Sequence, residues 1–168
     1  ADASCDVMIV GVPASRTSLS PTSAHHTPDA IRNALLRYST AHSDQRVNLE
    51  KLALVDAGNI SSPDDDETKS IVELGALAKK SSLVIALGGD NSITYTAAKA
   101  TDATGLITLD AHYDLRDGVS NGSPVRRLIE AGLSGKKVVQ IGIADFSNST
   151  EYAKRAKDYG ITVIPRSQ

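Results

Sequence analysis

With 168 residues the chain can bury a core as one domain, though it is small for an open-sheet enzyme. A formal charge of −2 with scattered Lys and Arg, 4% aromatics and no Trp exclude a general attraction to nucleic acid or anionic lipid and a stacking surface for bases, so neither nucleic acid nor membrane is an expected partner. Cys5 stands alone, which excludes an internal disulfide or thiolate metal cluster, and with no membrane-length apolar run and no secretory pattern after Ala1 the expected location is the cytoplasm.

Val7 to Val12 is apolar and runs into Gly11-Val12-Pro13, the pattern of a first strand entering a loop. The loop, Ala14 to His26, is rich in Ser and Thr and carries Arg16, His25 and His26; long loops beside a sheet edge are more often functional than structural. A helix is expected next, with Thr27 as N-cap, Pro28 at the first helical position and Asp29 in the positive first turn, followed by Ile31, Ala34, Leu35 and Tyr38 at helical spacing. Ser39 to Glu50 is a polar connection, and Leu52 to Ala57 a second strand closed by Gly58. Ser61-Ser62-Pro63 and the acids Asp64 to Glu67 start a second helix, because carboxylates suit unpaired backbone N–H groups. Ile71, Leu74, Leu77 and Ala78 form its buried stripe, and Lys79-Lys80 complement its negative end.

Two short apolar runs, Leu83 to Leu87 and Leu106 to Leu109, read as buried strands joined by a helix near Ser92 to Ala100. A turn-rich stretch, Arg116 to Pro124, leads into a helix of about ten residues with Val125, Leu128, Ile129 and Leu133 inward. Val138 to Ile143 is another strand, Glu151 to Tyr159 a helix closed by Gly160, and Ile161 to Ile164 a last strand. Strictly alternating strands and helices imply an α/β fold, a three-layer sandwich with a mainly parallel sheet covered on both faces.

Ligands of such sheets bind outside the carboxyl ends of the strands, where Gly88-Gly89-Asp90-Asn91 and Asp110-Ala111-His112-Tyr113-Asp114 stand. Alternation along extended chain would send Asp110, His112 and Asp114 to one side, two carboxylates around an imidazole. Any one of them alone reads as a cap or a core histidine; together they favour a site for Mn²⁺, Mg²⁺ or Zn²⁺, in which carboxylates able to bridge two ions suit a binuclear hydrolase. The glycines of the first motif read equally as a tight turn, with Asn91 as a helix cap, and the motif lacks the Lys-Ser/Thr of a phosphate loop. Ser120 and Asn121, just beyond the site, are candidates to face substrate, and Arg16 to meet an acidic group on it, while Arg126-Arg127 reads as solvated helix surface and His25-His26 as surface histidines.

On these residues the chain resembles the ureohydrolase family, which includes arginase, agmatinase and formimidoylglutamase. The likeness runs from Val7 to Ile164 and is carried by GVP at Gly11 to Pro13, TPDAIRNAL at Thr27 to Leu35, GGDN at Gly88 to Asn91, DAHYD at Asp110 to Asp114 and SNGSP at Ser120 to Pro124. It implies an arginase-like fold and a binuclear manganese site whose bridging hydroxide attacks a guanidinium or formimino carbon. Asp110 would bridge the ions, His112 bind one and Asp114 the other, with Asn91 at a ligand position where the family usually has His. Most members also have His where this chain has Asn121, and an amide does no acid–base work at neutral pH.

The resemblance is greatest to the formimidoylglutamase branch, which converts N-formimino-L-glutamate to glutamate and formamide in histidine breakdown. A guanidino substrate and a non-catalytic homologue are the rival readings. The family's second metal motif, S-x-D-x-D, is not found after Ile164, so the chain reads as an amino-terminal portion, inactive by itself and open at the edge of its last strand. Family likeness also implies trimers or hexamers.

Overall fold

The computed structural model describes residues 4–43 and 47–168. Residues 44–46, within the expected Ser39–Glu50 connection, lie outside the described residues. The chain forms two compact units, Ala1–Arg16 with Pro21–Asp90, and Thr17–Ser20 with Asn91–Gln168.

In the first unit, β1 (Cys5–Val12) is the central strand, parallel to β2 (Leu54–Asn59) on one side and β3 (Ser81–Gly88) on the other. Its central place explains its continuous apolar run, and Met8, Val10 and Val12 are buried with Ile60, Leu74 and Leu87. The chain steps from β1 to β2 through α1 (Thr27–Leu35) and back across β1 to β3 through α2 (Glu67–Ala78). Right-handed crossovers in opposite directions place α1 and α2 on opposite faces, which is the sandwich expected from the sequence.

Several boundaries move for local reasons. β2 starts two residues late because Leu52 and Ala53 lead into a clasp with Asp6, whose carboxylate accepts the Ala53 N–H at 2.8 Å. Thr27 is the first helical residue rather than the cap: a 3-10 turn at Ala24–His26 precedes it, and His26 takes the cap position without a side-chain hydrogen bond. α1 ends at Leu35, so Tyr38 does not extend its stripe and stays exposed. Of the acids before α2 only Asp66 caps, accepting the Lys69 N–H at 2.9 Å.

Two motif glycines are required by close approach. A Cβ on Gly11 would lie 1.8 Å from Asn59 Oδ1, and one on Gly89 2.4 Å from the Ala14 carbonyl oxygen.

The second unit holds α3 (Ile93–Ala100), β4 (Leu106–Leu109), α4 (Pro124–Glu130), β5 (Val138–Ile143), α5 (Thr150–Tyr159) and β6 (Thr162–Pro165). Its strands are parallel and lie in chain order, with a core of Leu115, Val125, Val138, Ala156 and Ile161. α4 is shorter than expected because Gly132 takes φ +106°, a left-handed value that ends the helix; Leu133 reaches the core from beyond it. α5 begins at Ser149, whose hydroxyl accepts the Tyr152 N–H, and ends at left-handed Gly160.

Sequential strand order makes both crossovers run the same way, so α4 and α5 cover the same face. The other face carries Ile107 and Leu109, 67% and 84% exposed, opposite Val139 and Ile141. The parallel sheet expected as one is therefore two three-stranded sheets, with β3 and β4 each an edge. Exposed apolar side chains concentrate there, at Leu83, Ile85, Ile107 and Leu109, rather than on β6, where the open edge was expected. Edge strands of this kind promote self-association. Joint replacement Ile107→Lys and Leu109→Lys is expected to lower light scattering and hydrophobic-dye binding with circular dichroism unchanged. Scattering equal to that of the parent chain would show that this face is not the sticky one.

Candidate functional site

Past Leu109 the chain turns rather than continuing extended. The Asp110 N–H still donates to the Ile141 carbonyl at 3.0 Å, but Asp110 Oδ1 accepts the His112 N–H at 2.8 Å and folds the loop back. A turn, not strand alternation, therefore sets the directions of Asp110, His112 and Asp114, which corrects the geometric expectation.

His112 Nδ1 lies 3.3 Å from Asp110 Oδ1, both partly open to solvent. Asp114 is different: it is 7% exposed, sits at a left-handed φ of +54°, and accepts a 2.7 Å hydrogen bond from Asn91 Nδ2. Burial, and next the charge of Asp110, push its carboxyl up to about 7, against the pull of Asn91, His112 and Arg116. A buried acid beside a second carboxylate is the kind of group that a divalent cation would stabilise in its charged form. Oxygen donors with one imidazole suit a hard or borderline ion such as manganese. Among the described residues, no three His, Cys, Asp or Glu side chains are gathered closely enough to hold an ion. The donors fit in kind and are open in arrangement.

Asn91 does not offer an oxygen to this site. Its Nδ2 donates to Asp114 and to the Asn121 carbonyl at 3.1 Å, while its Oδ1 accepts the Thr94 hydroxyl at 2.8 Å. Two acceptors facing one end of the amide fix which end is nitrogen. The residue expected as a ligand is here a tether for Asp114.

The expected substrate contacts are also engaged. Asn121 donates its N–H to the Thr17 carbonyl and accepts the Leu19 N–H on Oδ1, anchoring segment Thr17–Ser20. Ser120 is buried, and its Oγ accepts the Gly122 N–H within its own turn. Arg16 in the other unit donates to the Asp64 carbonyl and pairs with Asp65 at 2.6 Å, while the Asp64 carboxylate accepts the N–H groups of Ser15 and Arg16. That is where two of the acids expected to start α2 are used. His25 and His26 are exposed, as expected.

Four polar side chains that the sequence did not mark as part of the site hold the loop beyond β4. Gln140 Nε2 donates to the Tyr113 carbonyl at 2.8 Å; Asn148 accepts the Tyr113 N–H at 3.2 Å and donates to the Ala111 carbonyl at 2.9 Å. Arg126, expected on the solvated surface, is 9% exposed and donates to the carbonyls of Arg116 and Gly118 while pairing with Glu130. Arg155 Nη1 donates to the Leu115 carbonyl at 2.8 Å and to Asp117 at 2.7 Å. A Gln inside the apolar run of β5 was the one available signal; Asn148 and the arginines read as ordinary surface residues.

The arginase family pattern matches residues 5–168. A formimidoylglutamase of Halalkalibacterium halodurans is 37% identical over 170 residues, covering 92% of this chain and 53% of its own. The crystal structure of formimidoylglutamase from Bacillus subtilis superposes with a TM-score of 0.89 at 30% identity, over 98% of this chain and 56% of that one. Formiminoglutamase of Trypanosoma cruzi, solved with Mn²⁺, superposes with a TM-score of 0.86 at 25% identity, over 99% of this chain and 61% of that one. The chain thus spans about half the length of the curated relatives it matches.

Proposed function

The chain belongs to the arginase family, and from that premise we propose that it provides the first metal-ligand loop of a hydrolase that cleaves a C–N bond of N-formimino-L-glutamate to give L-glutamate and formamide. The observation that carries this reading is Asp114, whose carboxyl is raised to about 7 by burial and then by the charge of Asp110. Asp110, His112 and Asp114 would hold manganese, two ions in a complete site. Bound manganese supplies the Lewis acidity that makes water nucleophilic at neutral pH.

The chain's own part is to hold the donors and release a proton. Asp114 must lose its proton for the ion to enter, so affinity falls as pH drops below about 7. Asn91 keeps that carboxylate aimed, and Ser120 and Asn121 are proposed to face the substrate from their turn. Arg16 is proposed to meet an acidic group of the substrate, exchanging Asp65 for it. A homotrimer or hexamer in the cytoplasm completes the proposal. Among the described residues no helix is long and apolar enough to cross a membrane.

Incubation of the full-length protein with manganese and N-formimino-L-glutamate, with agmatine in parallel, tests the proposal: formamide release is expected from the first, and urea release from the second would move the assignment to a guanidino substrate. The same assay on this length of chain alone tests whether it is inactive, as the sequence reading holds. A non-catalytic homologue is the second reading, favoured by the two amides, Asn91 and Asn121, that tie loops together where acid–base or ligand chemistry was expected. Absence of both metal uptake and turnover would decide for it.

A further inference from the structure

We propose that Gln140 and Asn148 are positioning residues that set the spacing between His112 and Asp114, an inference that rests on the metal-site reading above. Between Asp110 and Asp114 these two side chains bond three backbone groups, the Ala111 carbonyl and both the N–H and the carbonyl of Tyr113. The Ala111 carbonyl accepts Asn148 Nδ2 at 2.9 Å and the Ala144 N–H at 3.0 Å. The Tyr113 N–H donates to Asn148 Oδ1 at 3.2 Å, and the Tyr113 carbonyl accepts Gln140 Nε2 at 2.8 Å. Tyr113 is thus gripped on both sides, between one candidate ligand and the next.

Two further observations say that the grip is not ordinary packing. Asp114, the residue after the gripped peptide, is held at a left-handed φ of +54°, uncommon for a non-glycine residue though best tolerated by Asp and Asn, so the backbone there is set in a particular turn. Gln140 is fully buried with Oε1 unpartnered, and Thr108, its neighbour in register on β4, has a buried unpartnered hydroxyl as well. A buried amide oxygen without a donor weakens the fold. An apolar side chain of similar volume would serve the core as well as Gln140 does, but only an N–H donor serves the Tyr113 carbonyl.

The two roles separate in the variants Gln140→Met and Asn148→Ala. Mn²⁺ binding to the full chain is read by loss of the free-ion paramagnetic resonance signal, and stability by thermal unfolding without metal. Positioning predicts about a tenfold to hundredfold loss of Mn²⁺ affinity in each variant, the size expected when groups behind a ligand are removed. It also predicts that Gln140→Met melts within a few degrees of the parent and exchanges its Tyr113 amide faster. Unchanged affinity in Gln140→Met overturns the inference, even if Asn148→Ala fails to fold. If the parent chain takes up no Mn²⁺ while Tyr113 exchange responds, the metal reading fails and the loop grip stands as structural only, which also overturns the positioning role.

Discussion

Asp114→Asn is expected to make the metal-free chain more stable above neutral pH and to weaken the proposed manganese uptake. The folded-state carboxyl titrates near 7 instead of 3.8, mainly through burial and then through Asp110. Below pH 3.8 it is protonated in folded and unfolded chains alike and contributes no difference. Between about pH 4 and 7 the unfolded chain gives up its proton while the folded chain keeps it, so stability falls as pH rises. Above 7 the penalty is complete, at most about 4 kcal/mol from a shift of this size. Asparagine removes the titration, still accepts from Asn91, and tolerates the left-handed backbone at this position. Urea unfolding at pH 4, 5.5 and 7.5 tests this. Parent and variant should agree at the lowest value and diverge upward; a parent chain with flat stability over that range would remove the electrostatic case for a cation at this loop.

Gly89→Ala is the second change with a large expected effect. Its Cβ would meet the carbonyl oxygens of Ala14 and Val12 at 2.4 and 2.6 Å and the Ala14 nitrogen at 2.7 Å, all backbone atoms of the loop that follows β1. No rotamer relieves that overlap. The loop must retreat, and with it the 2.8 Å hydrogen bond from the Asp90 N–H to the Ala14 carbonyl. A loss of about 3 kcal/mol or more is expected from the overpacking and the broken bond together. Gly118→Ala is the control, since nothing lies within 4 Å of its Cβ and only the φ of +72° opposes it; about 1 kcal/mol is expected there. Equal denaturation midpoints for the two variants would show that the loop yields easily.

The alternation of strands and helices was legible because each element's own residues carry it: apolar runs of four to eight in the strands, helical spacing in α5 and the glycine that closes it. Asp110, His112 and Asp114 were legible as a group from residue type and spacing. Their directions were not, because a side chain–backbone bond from Asp110 to His112 replaces the extended strand that spacing assumes. Arg126 shows the same limit from the other side. Its sequence neighbourhood is that of a surface helix, and only the carbonyls of Arg116 and Gly118, ten and eight residues away, make its burial tolerable. Division into two sheets depends on which strand finds which partner, a nonlocal choice that no window of sequence contains.

Strand order in the two sheets has a consequence for the nascent polypeptide. Each strand of the second sheet can dock on the one made just before it, across the site loop and α4 for β4 and β5 and across α5 for β5 and β6. β1 pairs Cys5 with Ser81 and Val12 with Gly88, so its second flank stays bare until more than seventy further residues have emerged. Closing that long span costs entropy before any ladder bond repays it. The first unit should therefore be the slower to acquire protection from exchange in a refolding pulse, and β1 should be the strand that leans longest on a chaperone's shelter.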